Sequence, residues 1–440
     1  MNYIQPIIFL LVVLALGAFS FKKYSEIYRN IKRGKSEKIE GDIGARLMNV
    51  LLIAFGQKKM FKNWIPAVLH LFIYVAFMVT QIELIEIFID GVTGAHRIFA
   101  PYLGAFYTFI ISFIEILSVL ALVATFAFLS RRNLLKVPRL SMSEMNGWPK
   151  LDGNLILYGE LWLVTCIFCM NGADVVLQGL APAHYPSTGF LAISGWLGPA
   201  IFGGLDASVL KAIERFGWWG HILGVFGFIA YLPYSKHLHI ALAFPNTYYA
   251  SLEEKGKMRN MPEITQEVKL MMDPSAPMPE EDPNAEPSSF GAKDVDGLSW
   301  KSLLDAYSCT ECGRCTAACP ANGTGKLLSP RAIMMRTRDR MEDLTKFEQA
   351  NNGNSDDGKS LLGDYITKEE INACTTCNAC VEECPVSINP LNIITELRRY
   401  TILEAANSPE EWNLMFGNME NNGAVWQFNP QDRAKWVDEL

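Results

Sequence analysis

Eight of the ten cysteines fall into two copies of one pattern. The first copy is Cys309-x-x-Cys312-x-x-Cys315-x-x-x-Cys319-Pro320, and the second is Cys374-x-x-Cys377-x-x-Cys380-x-x-x-Cys384-Pro385. Thiolates at this spacing hold a [4Fe–4S] cluster, and where two such runs share a chain the fourth cysteine of each ligates the other run's cluster. One ligand set is then Cys309, Cys312, Cys315 and Cys384, and the other is Cys374, Cys377, Cys380 and Cys319. The alternative for any Cys-x-x-Cys pair is structural zinc, which takes four ligands. Three closely spaced cysteines plus a proline-followed fourth, twice over, match two clusters instead.

The second chemistry-bearing group is histidine in apolar surroundings. His70 lies near the start of one hydrophobic run, His221 near the outer end of another, and His237 and His239 at that run's inner end. His221 and His239 are 18 residues apart. On one continuous helix that is about five turns, with both on one face and about 27 Å apart, close to the hydrocarbon thickness of about 30 Å. Two imidazoles so placed suit a two-haem b-type arrangement. His70 has the depth to pair with His239 around an inner haem. His237 is about 160° away from His239 on an ideal helix, and a kink at Pro233 would shift that phase. The partner of His221 stays open. Thr80 stands where a second ligand on the His70 helix would sit, while His96 and His184 lie on the outer side. A histidine in a span can also simply bond a neighbouring helix.

Glu83, Glu115 and Glu160 sit in or near apolar runs. Ionisable groups there are functional candidates, here for moving protons to or from a quinone, unless they stay wet at an interface. Cys166 and Cys169 form a Cys-x-x-Cys in an apolar run without a redox fold around it, and read as small buried residues.

These side chains need elements to hold them. The chain has 440 residues, 50% of them hydrophobic, in two unlike halves. Five apolar runs are long enough to span a bilayer: Ile4–Phe21, Trp64–Ile89, Tyr102–Leu129, Leu155–Leu177 and Trp218–Leu242. Residues 190–205 are apolar but glycine-rich and broken by Pro199, which suits an interfacial or re-entrant piece. The first run reads as a span rather than a signal peptide, because no basic residue precedes it and no small-x-small site closes it. Lys22, Lys23, Arg29, Lys32, Arg33, Lys35 and Lys38 follow it, with Lys58, Lys59 and Lys62 further along. Arg131, Arg132, Lys136 and Arg139 follow the third run. Basic loops stay inside, so the N-terminus is expected outside and the cysteine-rich half in the cytoplasm. Cluster-binding thiolates need the same reducing side. A net charge of -7 gives no sign of a nucleic-acid surface.

Residues 252–300 are acidic and proline-rich, with Pro274, Pro277, Pro279, Pro283 and Pro287, and read as a tether with order returning at Trp300. About 55 residues separate the two cysteine runs, too many for a minimal β-type ferredoxin. Pro330–Lys346, Lys368–Ala373 and Leu391–Ala406 read as helices, and Asn351–Gly358 as a surface loop. The expected fold is mainly α: a five-helix transmembrane bundle of the b-type cytochrome kind, then an all-helical 2[4Fe–4S] ferredoxin domain. The boundaries are 1–245 for the haem b domain, 246–299 for the linker, 300–406 for the ferredoxin domain and 407–440 for a tail.

The soluble half resembles the helical part of the succinate dehydrogenase iron–sulfur subunit and the small ferredoxin-like subunit of heterodisulfide reductase. The membrane half resembles the gamma subunit of respiratory nitrate reductase and the membrane cytochrome of heterodisulfide reductase. Pro233-Tyr-Ser-Lys-His237-Leu-His239-Ile looks like the end of the fifth helix in membrane-bound Fe–S oxidoreductases of the heterodisulfide-reductase type. The resemblance implies b haems between the second and fifth spans, with His70, His221 and His239 as the matching ligands. Thr80 departs from the nitrate reductase pattern, which puts a second haem in question or moves its ligand to His96. In fused relatives a segment like Phe416–Gly423 through Arg433–Trp436 leads into a cysteine-rich CCG domain, so the resemblance implies a separate CCG-domain subunit docked on the tail.

The function these features lead one to expect is a quinone-linked oxidoreductase subunit in the cytoplasmic membrane. It would pass electrons between a cytoplasmic donor, such as electron-transfer flavoprotein or a CCG-domain partner, and the quinone pool (menaquinone, on family analogy). Substrate chemistry would sit on a partner chain. The rivals are reverse flow, with quinol oxidised and a disulfide reduced, and a non-catalytic anchor whose clusters are structural. Transport is disfavoured, since no repeat of broken helices is visible.

Overall fold

The computed structural model describes residues 4–273, 275, 289–427, 429–432 and 434–439. The tether prolines Pro274, Pro277, Pro279, Pro283 and Pro287, and Arg433 of the tail, lie outside the described residues. Among the described residues there is no β-strand, only two isolated bridges.

Helix α1 is Ile4–Lys32. It runs well past Phe21 because nothing between there and Gly34 breaks a helix. Gly34 is required where it stands, since a Cβ would meet the backbone nitrogen of Trp300 at 2.5 Å. A shorter helix, α2 (Ile43–Asn49), continues as a wide turn to Phe55. Then come α3 (Trp64–Thr93), α4 (Ala105–Asn133) and α5 (Trp148–Leu180). Gly94 closes α3 at a φ of 74°, its N–H donating to the Asp90 carbonyl, the left-handed cap that glycine adopts without strain. With α1, these make four helices long and apolar enough to cross a membrane among the described residues. The 190–205 segment contains a short helix, α6 (Ser194–Phe202), with Pro199 inside it.

The fifth run behaves differently from the expectation. Its helix, α7, is Ala207–Tyr231, and its first turns carry Lys211, Glu214 and Arg215. It does not continue to Leu242. Pro233 has no N–H to donate and its ring crowds the preceding turn. Leu232–Tyr234 closes as a tight turn, Ser235 is extended, Lys236–Leu238 forms a second tight turn, and α8 (His239–Tyr248) starts afresh. His221 and His239 therefore lie on different helices, and the single-face, 27 Å relation drawn from one continuous helix does not hold. Gly217 and Gly220 let α7 approach α5 closely: a Cβ on Gly217 would meet the Cys166 carbonyl at 2.6 Å, and one on Gly220 the Cys166 sulfur at 2.8 Å. Small residues at such crossings permit tight packing, which accounts for Cys166.

The linker is also more ordered than expected. It holds the helix α9 (Pro262–Met272), and order resumes before Trp300. Ala292, Val295 and Leu298 are buried, and Asp294 accepts from Arg340 Nε and Nη2 at 3.0 and 2.6 Å. The soluble half then builds α10 (Trp300–Tyr307), α11 (Pro330–Ala350), α12 (Lys368–Asn372) and α13 (Pro390–Arg399). Ser329 caps α11 by accepting from the Ala332 N–H, with Pro330 at its first position, the start signal expected of such a sequence. A further helix, α14 (Glu410–Asn422), lies in the tail and exposes Leu414, Phe416 and Met419.

The two halves share one core. Ile27 of α1, and Leu238 and Ala243 at α8, pack with Leu298, Leu303, Tyr307 and Leu397. Each large aliphatic side chain so buried stabilises the joint by about 1.5–3 kcal/mol. Asn30 Nδ2 donates to the Tyr307 hydroxyl at 2.9 Å, and Arg33 forms a two-pronged pair with Glu348 at 2.7 and 2.6 Å.

Candidate metal centres

The two cysteine runs fold alike. Glu311 and Gly313 in the first, and Thr376 and Asn378 in the second, all have positive φ, between 45° and 72°. They occupy equivalent places, two and four residues after the first cysteine of each run. The chain thus coils tightly round each ligand group. Gly313 must be glycine for a second reason: a Cβ there would meet the Arg139 carbonyl oxygen at 2.8 Å.

Cys319, Cys374, Cys377 and Cys380 line one small cavity, with Pro320, Leu328, Pro330, Leu391 and Ile394 in its walls. This is one of the two cross-ligated sets. In the other, Cys309 lies within charge range of Cys312 and Cys384, and Cys315 of all three. No disulfide involves any of them. Burial pushes the Cys309 and Cys380 thiols up to about 12 and Cys384 up to about 11. A buried thiol becomes a thiolate only beside compensating positive charge, which a metal centre provides. The donor set therefore fits a bound cluster. Backbone N–H groups of Thr376 and Ile388 already donate to the sulfurs of Cys374 and Cys384, at 3.4 and 3.2 Å. Such bonds help set the potential of a cluster.

The two sets face different ways. Cys377 is exposed, while Cys309 and Cys384 are buried. Arg139, from the loop after α4, donates to the Cys312 carbonyl at 2.5 Å. Arg314, between Cys312 and Cys315, donates to the Lys59 carbonyl at 3.3 Å, and the Lys59 charge lies near Cys384. The Cys309 set thus rests on the basic loops of the membrane half. The Cys319 set lies further out, with Arg398 donating to the Cys374 carbonyl at 2.5 Å.

Three histidines share one arrangement. His239 Nδ1 lies 2.9 Å from the Lys236 carbonyl, His221 Nδ1 lies 3.2 Å from the Leu163 carbonyl, and His70 Nδ1 lies 3.1 Å from Gln57 Oε1. A carbonyl oxygen only accepts, so Nδ1 carries the proton and Nε2 keeps a free lone pair. That tautomer, held by an outer partner, is the form that ligates a metal. His70 lies close enough to His239 and Arg314 for their charges to interact, and His237 close enough to both histidines. His70 and His239 therefore lie near Arg314 of the first cysteine run. The residues fit a haem held through Nε2. Gln57 is a site residue that sequence reasoning missed. Its only signal was a polar side chain placed before an apolar run.

His96 is placed otherwise. Its Nε2 lies 2.7 Å from Asp174 Oδ1 and its Nδ1 lies 3.4 Å from Arg215 Nη2. Both ring nitrogens have protein neighbours, unlike those of His70, His221 and His239. His184 lies in the outer turn that follows α5. His96 belongs to a buried polar network that joins residues of α3, α4, α5 and α7. Arg97 is its hub, with Tyr107 at 3.1 Å, Asn171 at 2.5 Å, Glu83 at 3.5 Å and Asp174 at 3.7 Å. Glu86 accepts from the Tyr107 hydroxyl at 2.6 Å, and Glu115 from the Ile193 and Ser194 N–H groups. Glu83 is buried, and neither of its oxygens has a hydrogen-bond partner.

Residues 305–388 match the family model of the 4Fe-4S dicluster domain, so the class is an iron–sulfur protein with ligands for two [4Fe–4S] clusters. Along most of its length the chain is similar to curated oxidoreductases. It is 29% identical over 440 residues to the probable iron-sulfur-binding oxidoreductase FadF of Bacillus subtilis, which covers 93% of this chain and 57% of that protein. It is 26% identical over 463 residues to the EtfAB:quinone oxidoreductase of Syntrophomonas wolfei, covering 98% of this chain and 59% of that protein. A stretch of 150 residues is 27% identical to one subunit of the dihydromethanophenazine:CoB–CoM heterodisulfide reductase of Methanosarcina mazei, covering 33% of this chain and 36% of that protein. The chain spans less than two thirds of the length of these relatives. No solved structure matches. These relatives are named as oxidoreductases, one of them iron-sulfur-binding and one a heterodisulfide reductase subunit.

Proposed function

We propose that the chain is a membrane-anchored electron-transfer subunit. It links a donor on the cytoplasmic side to the quinone pool, and α7 completes a five-span bundle with the N-terminus outside. Two [4Fe–4S] clusters and haem b supply one-electron redox chemistry, while the protein supplies ligands, spacing and electrostatics. Cys319, Cys374, Cys377 and Cys380 hold the outward-facing centre, and Cys309, Cys312, Cys315 and Cys384 the inward one. His70 and His239 hold an inner haem, and His221 marks the place of a second. Lys59, Arg139 and Arg314 bring positive charge to the inward thiolates. Glu83 handles a proton for the quinone.

One observation carries this reading. Arg314 is part of the first cysteine run, yet it lies within charge range of His70 and bonds the loop that leads into α3. Cysteine site and histidine site are thus adjacent, as a conducting route requires. The similarity along nearly the whole chain to proteins named as an Fe–S oxidoreductase and an EtfAB:quinone oxidoreductase supports electron-transfer flavoprotein as donor and a quinone, menaquinone by analogy, as acceptor. A CCG-domain partner would dock on the exposed apolar face of α14.

The reverse flow, quinol to a disulfide, draws support from the heterodisulfide reductase match, but that match covers a third of the chain. A purely structural role for the clusters suits the exposed Cys377 poorly, because it leaves one centre open to exchange at the surface.

The test is optical and magnetic. Purified protein reduced with dithionite should show cluster EPR signals and a b-type α-band, and a short-chain menaquinone should reoxidise both. Reduced protein with no α-band, or one that menaquinone leaves reduced, overturns the reading. Recovery of a CCG-domain protein with this chain from native membranes is the expected result for the partner.

A further inference from the structure

The segment Ile43–Phe55 lies between the first two spans, and its amphipathicity is inverted relative to a soluble protein's surface. Ile43, Leu47, Met48, Leu51, Leu52 and Phe55 are exposed. Their spacing, at steps of four, one, three, one and three, is that of a single helical face. Leu47 is 52% exposed and Leu51 55%. The polar residues point inward instead. Arg46 is buried, with Nη1 donating to the Tyr248 carbonyl at 2.9 Å and Nη2 to the Glu40 carbonyl. Asn49 Nδ2 donates to the Thr247 carbonyl at 2.6 Å. Water would be a poor solvent for that outer face.

We propose that Ile43–Phe55 lies in the plane of the membrane, with its apolar face sunk into the leaflet on the ferredoxin side. Three features select lipid as the occupant. The segment has 13 residues, about 20 Å of helix, too short to cross about 30 Å of hydrocarbon. It joins the end of α1 to the start of α3, both at the side where the ferredoxin half docks, through the Arg33–Glu348 pair and the bond of Lys59 to the Val381 carbonyl at 3.5 Å. Its exposed face is therefore continuous with those of two spans. Lys35, Lys38 and Lys58 flank it, which suits anionic headgroups.

This surface also bears on the redox site. Phe55 packs on Phe244 of α8 with ring centroids 4.9 Å apart. Two residues on, Gln57 is buried, holds a φ of 50° and meets His70. The in-plane segment thus braces both the His239 helix and the partner of His70. That consequence rests on the proposed function, while lipid contact does not.

The full-length protein in vesicles of phosphatidylethanolamine and phosphatidylglycerol, doped with a phospholipid bearing a photoactivatable acyl chain, provides the test. After irradiation, peptides covering 43–55 should carry label within about threefold of peptides from α3, as expected of a helix buried about 5–10 Å into the interface. Peptides from α11 should stay at background. The Leu47→Glu/Leu51→Glu variant should lose most of the 43–55 label while keeping its iron; if it does not assemble, the wild-type pattern decides. Background labelling of 43–55 in the wild type overturns the proposal. If that segment is also protected from deuterium exchange, its cover is protein instead. Normal labelling in a protein that fails to reduce quinone would sink the functional reading and leave this one standing.

Discussion

Arg139 reaches from the membrane half to donate to the Cys312 carbonyl at 2.5 Å, and Gly313 beside it leaves no room for a side chain against the Arg139 backbone. The Cys309 set is thereby fixed against the loop after α4. A hydrogen bond from a charged donor contributes about 1.5–3 kcal/mol. Arg139→Ala should leave both cluster EPR signals in place but slow haem reduction from the clusters by about tenfold, which corresponds to about 1.4 kcal/mol in barrier. Rapid-mixing absorbance in the α-band measures this. An unchanged rate would mean that the contact does not govern docking.

The Nδ1 partners of the histidines give the next expectation. His70→Ala and His239→Ala should each abolish the same haem signal, and loss of different haems would refute the pairing. Gln57→Leu removes the bond to His70 Nδ1 but not the ligand. It should keep the haem, raise its midpoint potential through a less basic imidazole, and weaken haem retention by about 10–100-fold. A redox titration that superimposes on the wild type would show that Gln57 does not tune His70.

Much of this was legible in the sequence, and the failures have physical causes. Cysteine spacing is local, so the ligand groups could be read directly, and Cys319 does line one cavity with Cys374, Cys377 and Cys380. Span lengths follow from composition. The break after Tyr231 turned on one residue, Pro233, whose effect depends on whether neighbours tolerate a kink. The linker's order depends on a long-range pair, Asp294 with Arg340, which no local pattern announces. His96 looked free because its partners Asp174 and Arg215 are 78 and 119 residues away in the chain. The in-plane helix was hidden because its apolar run is too short to count as a span.

Cross-ligation makes a direct claim on the fourth cysteines. Cys319 lines the cavity of Cys374, Cys377 and Cys380 although it belongs to the other run. Cys319→Ser and Cys315→Ser should therefore perturb different clusters by EPR. Damage to one shared signal would contradict the arrangement.

Asp339 offers a pH test outside the membrane. It lies on α11, where desolvation of its carboxyl, with Glu342, Asp343 and Glu311 nearby, pushes it up from 3.8 to about 6. The folded protein then holds this proton more tightly than the unfolded chain. Its contribution to stability is full below 3.8 and is lost as pH rises through about 6. Asp339→Asn should leave the melting temperature unchanged at the acid end and raise it above that window. Equal shifts at both ends would assign the effect to something other than this charge.

Glu83 is the sharpest case among the buried acids. Glu83, Glu86, Asp90, Glu115, Asp174 and Glu214 are all buried, with Arg97 the one buried arginine in their midst and Arg215 at the edge. Burying a carboxylate without a cation is costly, and this interior holds few cations. Glu83 differs from the rest in having no hydrogen bond to either oxygen, only the 3.5 Å ion pair with Arg97. Forming a quinol takes two electrons and two protons at the quinone oxygens. If Glu83 delivers one of those protons, Glu83→Gln should slow quinol formation by about 10²-fold, the scale of a general acid. Electron arrival at the haem should remain at the wild-type rate. Glu160→Gln, at an acid outside this network, is the control and should change little. A Glu83→Gln protein that reduces quinone normally would return the network to a structural role, holding the loop around Arg97.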